Sequence, residues 1–108
     1  MTIGTLVREV ETDPNWQMYP GETGEVVAEL PVGDEPEGVT RSPDGRWVYV
    51  TSENDNQVSV INTEALEVVA VIDVGARPRS STFSPDSTRA YVTAENGGTV
   101  SVVDTTDH

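Results

Sequence analysis

The sequence predicts an all-β repeat fold, and three observations carry that prediction. Residues 26–66 lie over residues 68–108 without a gap, so the chain holds two copies of a 42-residue unit; 19 of the 41 aligned pairs are identical. Each unit contains runs such as Gln57-Val58-Ser59-Val60-Ile61 that alternate polar and apolar residues, the period of a half-buried strand. Pro, Asp, Asn and Gly separate those runs at matched places, and only Glu64-Ala65-Leu66-Glu67 would allow a single helical turn.

In chain order, Leu6-Val7-Arg8-Glu9-Val10 is strand-like, Asp13-Pro14-Asn15 reads as a turn, and Trp16–Tyr19 is apolar. These belong to an N-terminal segment, residues 1–21, that does not follow the repeat clearly and reads as an extra strand, as a tail, or as what is left of a preceding blade. Residues 22–108 hold two units, about 22–63 and 64–108. Gly24–Val32 matches Leu66–Val74, a fourth strand ended by Gly75. Glu37–Ser42 is a first strand, followed by Pro43-Asp44-Gly45, where Pro presets the turn. Trp47-Val48-Tyr49-Val50-Thr51 is a second, rich in aromatic and β-branched residues. Asn54-Asp55-Asn56 is a polar turn before the third strand, Gln57–Ile61. The second unit repeats the order: Arg79–Ser84, Pro85-Asp86-Ser87, Ala90–Thr93, Asn96-Gly97-Gly98, Thr99–Val103.

Four strands per unit at a period near 40 residues is the spacing of β-propeller blades, each a sheet of four antiparallel strands. A sandwich of eight strands is the competing architecture; an ungapped repeat with loops of matched chemistry favours the propeller. The strand count is out of phase. Residues 37–74 make a complete blade, 79–105 supply three strands of another, and Gly24–Val32 is an outer strand without the first three of its own blade. A blade edge needs a partner. This offset has two solutions: the ring closes by strand exchange between copies, as a trimer or tetramer, or the chain is a fragment of a longer propeller.

Tyr49-Val50-Thr51-Ser52 and Tyr91-Val92-Thr93-Ala94 resemble the YVTN family of propeller repeats. The Ser-Pro-Asp turns fit it, as do the Val-Gly-x-x-Pro loops at Val32–Pro36 and Val74–Pro78. So do the strands Val58-Ser59-Val60-Ile61-Asn62-Thr63 and Val100-Ser101-Val102-Val103-Asp104-Thr105. The resemblance covers roughly residues 22–106, with Ser52 or Ala94 in place of the Asn that ends the naming motif. It implies blades around a central axis. Members include archaeal surface-layer-type and periplasmic proteins, and related propellers belong to redox enzymes that bind haem d1 or serve quinone cofactors. Function varies on this fold, so the fold does not choose among them.

Net charge is −13, from 19 acidic residues against six arginines and no lysine. That balance excludes nucleic acid, whose binding rests on clustered basic residues, and anionic membrane surfaces. It fits a halophilic source or an ordinary acidic bacterial protein. No apolar stretch approaches the ~20 residues of a membrane span. The N-terminus lacks the pattern of a secretory signal. The protein is thus cytoplasmic as written, or periplasmic or extracellular if a signal has been removed. Without cysteine there is no disulfide, and with His108 as the sole histidine no His–Cys zinc site forms within one chain.

No catalytic constellation emerges. A Ser–His–Asp triad would depend on His108 at the very end, where order is lowest. Gly97-Gly98 lacks the phosphate-loop pattern, and Asn54-Asp55-Asn56 lacks the EF-hand order and reads as a turn. Trp47, Tyr49, Phe83 and Tyr91 read as core. The informative contrast lies in the loops before the first strands, where Glu35 and Glu37 in one unit stand against Arg77 and Arg79 in the other. The resemblance puts these loops near the axis. They form either inter-blade salt bridges, Glu35 or Glu37 with Arg77 or Arg79, or an arginine-lined channel mouth for an anionic ligand. The sequence therefore reads as a non-catalytic propeller module without a cofactor, a scaffold for protein or small-ligand binding. The alternatives are a fragment or subunit of a periplasmic redox propeller, haem d1 or quinone-linked, or of a propeller lactonase with Glu37 as first candidate ligand.

Overall fold

Alternating residues and tight turns give nine strands and no helix among the residues that the computed structural model describes, the backbone of 2–8 together with 25–108. They are β1 (Thr2–Arg8), β2 (Glu25–Val32), β3 (Pro36–Arg41), β4 (Trp47–Ser52), β5 (Gln57–Asn62), β6 (Glu67–Asp73), β7 (Pro78–Phe83), β8 (Arg89–Ala94) and β9 (Thr99–Asp104). They pair antiparallel in three sheets ordered β1-β2, β3-β4-β5-β6 and β7-β8-β9. The complete sheet and the three-stranded sheet fall where the strand count places them.

One expectation is corrected: β2 does not stand without a neighbour. Leu6 is registered with Ala28 and Val7 with Val26, across an irregularity. Val60 is registered with Ala70 and Ile61 with Val68, across the same irregularity. Ala28 and Val26 are the repeat equivalents of Ala70 and Val68, so β1 and β2 stand as third and fourth strands of a further sheet. The relation is hidden in the sequence because residues 9–24 join β1 to β2, whereas 63–66 suffice between β5 and β6. The expected turn at Asp13-Pro14-Asn15 and the apolar Trp16–Tyr19 lie outside the described residues.

The backbone repeats more strictly than the side chains. Left-handed φ recurs in pairs 42 residues apart: Glu35 (54°) with Arg77 (57°), Gly45 (77°) with Ser87 (63°), Asn56 (56°) with Gly98 (62°), and Leu66 (56°) with His108 (53°). A side chain in that region costs roughly 1–2 kcal/mol. Local bonds hold the turns in place. The Ser42 hydroxyl donates to Asp44 Oδ1 (2.6 Å) and accepts the Trp47 N–H (3.0 Å); Ser84 does the same with Asp86 (2.7 Å) and Arg89 (3.1 Å). Thr63 and Thr105 donate to the carbonyls of the left-handed Gly45 and Ser87, at 2.6 and 2.5 Å. Ser, Pro, Asp and Thr are identical in the two units because one turn is built twice. These bonds hold the Asp86 carboxyl at a pKa of about 2, through Ser84 first and then Thr88; Asp44 is lowered through Ser42 and then the Arg46 N–H.

The core lies between sheets. Tyr49, Val58 and Val60 pack against Ala90, Val92 and Val103 across one seam, with Phe83 edge-on to Tyr49 at 4.8 Å. On the other seam Val48, Val50 and Ile61 meet Leu30 and Val32 of β2. Strands β4 and β5 are therefore buried on both faces, while β8 alternates, because only one of its faces is covered. Val100 and Val102, equivalents of the fully buried Val58 and Val60, are 57% and 61% exposed.

Candidate functional site: the charged loops at one end of the seam

The loops before β3 and β7 and the turns after β4 and β8 share one end of the sheets. Glu53 N–H donates to the Glu35 carbonyl (3.0 Å), and Glu95 N–H to that of Arg77 (2.9 Å). Gly33 and Gly75 allow this closure: a Cβ on Gly75 would collide with the Thr99 hydroxyl, and one on Gly33 would lie 2.5 Å from the Ser52 hydroxyl. Across the seam, Arg77 N–H donates to Asn56 Oδ1 (2.9 Å), so an Asn expected only to turn the chain also fastens two sheets. Asp55 accepts the Asp34 N–H through Oδ2 at 2.7 Å.

Arg77 and Arg79 engage acids, but neither Glu35 nor Glu37 is their partner. The Arg77 guanidinium pairs with Glu53 across the seam. Arg79 Nη1 lies 3.8 Å from the same carboxylate and 2.8 Å from Glu95 Oε2. Glu53 is 3% exposed, whereas the two arginines are about half exposed. Glu35 is held in the left-handed turn and Glu37 points outward from β3. The sequence contrast found the bases and missed the acid. Its signal was present: Glu-Asn recurs as Glu53-Asn54 and Glu95-Asn96 beside these loops. With two carboxylates on two guanidiniums, the cluster is internally neutralised and reads first as a seam lock.

The first strands approach closely at this seam. A Cβ on Gly38 would sit 2.8 Å from the Arg79 carbonyl oxygen, and the Thr40 hydroxyl donates to the Ser81 carbonyl at 2.9 Å. At the opposite end the Asp44 N–H donates to the Ser87 hydroxyl (3.0 Å). There His108 is ordered by packing, contrary to the expectation of a loose end. Its ring stands edge-on to Trp47 at 4.4 Å, and Nδ1 lies 2.8 Å from the Tyr49 hydroxyl. Burial first, then Arg46, holds His108 below the usual imidazole range; burial pushes Tyr49 up to about 12. Trp47, Tyr49 and Phe83 belong to the core, and Tyr91 is half-buried on the uncovered face.

No family model and no curated protein matches the sequence. Solved structures do match. A chain of Kuenenia stuttgartiensis hydrazine synthase aligns with a TM-score of 0.72 at 30% identity, over 77% of this chain and 24% of that one. The dihydro-heme d1 dehydrogenase NirN, solved in complex with DHE, aligns at 0.67 and 30%, over 74% of this chain and 17% of its own. A functionally unknown protein from Desulfotomaculum acetoxidans aligns at 0.64 and 21%, over 79% and 32%. Hydrazine synthase and NirN contain β-propellers, and the chain has a propeller-type all-β fold. It spans less than a third of the length of each of these three chains.

Proposed function

We propose that this chain is a segment of a YVTN-type repeat propeller that serves as a non-catalytic scaffold for protein or small-ligand binding. One observation carries the reading. The face formed by Tyr91, Val100 and Val102 repeats a face that the chain buries completely at Tyr49, Val58 and Val60. Apolar surface of that kind is stable in water when another sheet covers it. The segment is thus a stack of ring elements, with its charged loops at one end of the seam. Two routes close such a ring: copies of this chain that exchange β2 into a trimer or tetramer, or blades supplied from elsewhere. Pairing with β1 already occupies the edge of β2 that a neighbour would need, in the register that β5 uses on β6. Light scattering against concentration tests the first route; a well-folded monomer at micromolar concentration removes it.

The second reading, a segment of a redox propeller, is favoured by the 30% identity to chains of hydrazine synthase and the haem d1 dehydrogenase. The described residues fit such a group poorly. The two arginines already have carboxylate partners, and His108, the only imidazole, lies at the other end of the seam against Trp47 and Tyr49. A visible absorption band in the purified protein would establish this second reading and remove the first.

A further inference from the structure

Charge specifies what covers the bare face of the last sheet, given the propeller reading. The seam inside the chain follows a rule of position. The succeeding sheet brings bases at 77 and 79 to the acid at 53 of the preceding sheet. Among the described residues no ion pair joins 77 or 79 to the acids at 35 and 37, the matching places on the neighbouring first strand. Carried one repeat onward, the acid position is Glu95. Its side chain is 52% exposed and, among the described residues, pairs with Arg79 of its own sheet. The positions that would approach it belong to the next sheet.

The surroundings of Glu95 match those of Glu53. Thr93 is exposed where Thr51 is buried, and Val100 and Val102 are exposed where Val58 and Val60 are buried. The edge of β9 that corresponds to the β5 edge paired with β6 has no strand on it among the described residues. If the covering sheet were the β3–β6 sheet of another copy, its Glu35 and Glu37 would fall where Arg77 and Arg79 fall now. Glu95 would then be desolvated against two acids, in a chain whose net charge is already −13. Like charges juxtaposed at an interface exclude a partner.

We infer that the Tyr91–Val100–Val102 face is a docking surface for a propeller blade that carries basic residues at the places of Arg77 and Arg79, and that it discriminates against the acidic blade of a second copy. The segment that carries this blade first completes the last sheet with an outer strand on β9; the blade itself gives apolar contacts to the two valines and a guanidinium to Glu95.

Tandem extension of the chain tests this. Residues 67–108, appended again after His108, supply the outer strand and a sheet with Arg77 and Arg79 facing Glu95. Residues 25–66, appended instead, supply the same strands with Glu35 and Glu37. A third extension is 25–66 with its appended Glu35 and Glu37 changed to Arg. Circular dichroism checks that each gains β structure. The first and third should melt about 2–4 °C above the second in low salt, the shift expected for about 1 kcal/mol in a chain of this length. High salt and Glu95→Gln should both close that gap. Equal melting of the second and third overturns the inference while leaving the propeller reading intact. If no extension raises the midpoint above that of the unextended chain, both fall.

Discussion

Replacing Val60 and Val102 by alanine, one at a time, compares a single substitution at two equivalent places of one repeat. Each change removes two methyl groups from the third strand of a sheet. Val60 is fully buried, between the middle and last sheets. At about 0.8 kcal/mol per buried carbon plus a term for the cavity, Val60→Ala costs about 2–3 kcal/mol. Val102 keeps 61% of its surface in water, which scales the transfer loss to about 0.6 kcal/mol with no closed cavity. The loss of β propensity is common to both and cancels in the comparison. The difference of about 2 kcal/mol should appear in equilibrium urea unfolding as a midpoint lower by about 1 M for Val60→Ala than for Val102→Ala, with unchanged slopes. Equal shifts would refute the reasoning, because they would mean that Val102 is buried in the free chain as Val60 is. The same pair then reports docking: a blade that covers the last sheet should raise the cost of Val102→Ala toward that of Val60→Ala.

Three further outcomes follow from the seam. Gly38→Ala drives a methyl group against the Arg79 backbone and should lower stability by about 1–3 kcal/mol in the same assay, since a carbonyl of the next sheet has no rotamer with which to yield. Arg77→Ala leaves Glu53 buried with Arg79 at 3.8 Å and should cost about 1–3 kcal/mol, most of it recovered when Glu53→Gln is added; additive losses would deny the coupling. Asp86 has its folded pKa below the unfolded value of 3.8, so its contribution is present above that value and lost as pH falls through about 2. Melting temperature against pH should therefore fall less over that window in Asp86→Asn than in the unmodified protein.

Much of the architecture was legible because the repeat is exact where geometry is strict. Ser42, Asp44 and Thr63 recur as Ser84, Asp86 and Thr105 because each makes a bond that fixes the same turn, and Pro43 recurs as Pro85 because its ring presets φ there. Left-handed positions were not legible as such, since Gly45 and Asn56 advertise them while Glu35, Leu66 and Arg77 do not. The relation of β1 to β5 was lost because a longer connection breaks the ungapped alignment, although the register survives it. In the charged cluster, contrast between the units identified Arg77 and Arg79, because opposite charges at equivalent places attract notice. Glu53 escaped because it is the same in both units, and a shared residue suggests a turn before it suggests a partner. Which acid faces which base depends on the stagger between adjacent sheets, and period alone does not reveal that stagger.

The unequal connections after the third strands bear on engineering. Residues 63–66 and residues 9–24 leave the same strand pairing behind them, bulge included, so that bend imposes no fixed length on the chain that crosses it. A flexible loop grows more costly only slowly with length, by about 0.6 kcal/mol per doubling. Beyond Thr63, which holds the neighbouring turn, and before Glu67 the protein should therefore accept a grafted epitope or affinity tag, at the end of the sheet away from the charged loops, while keeping its thermal midpoint within a few degrees.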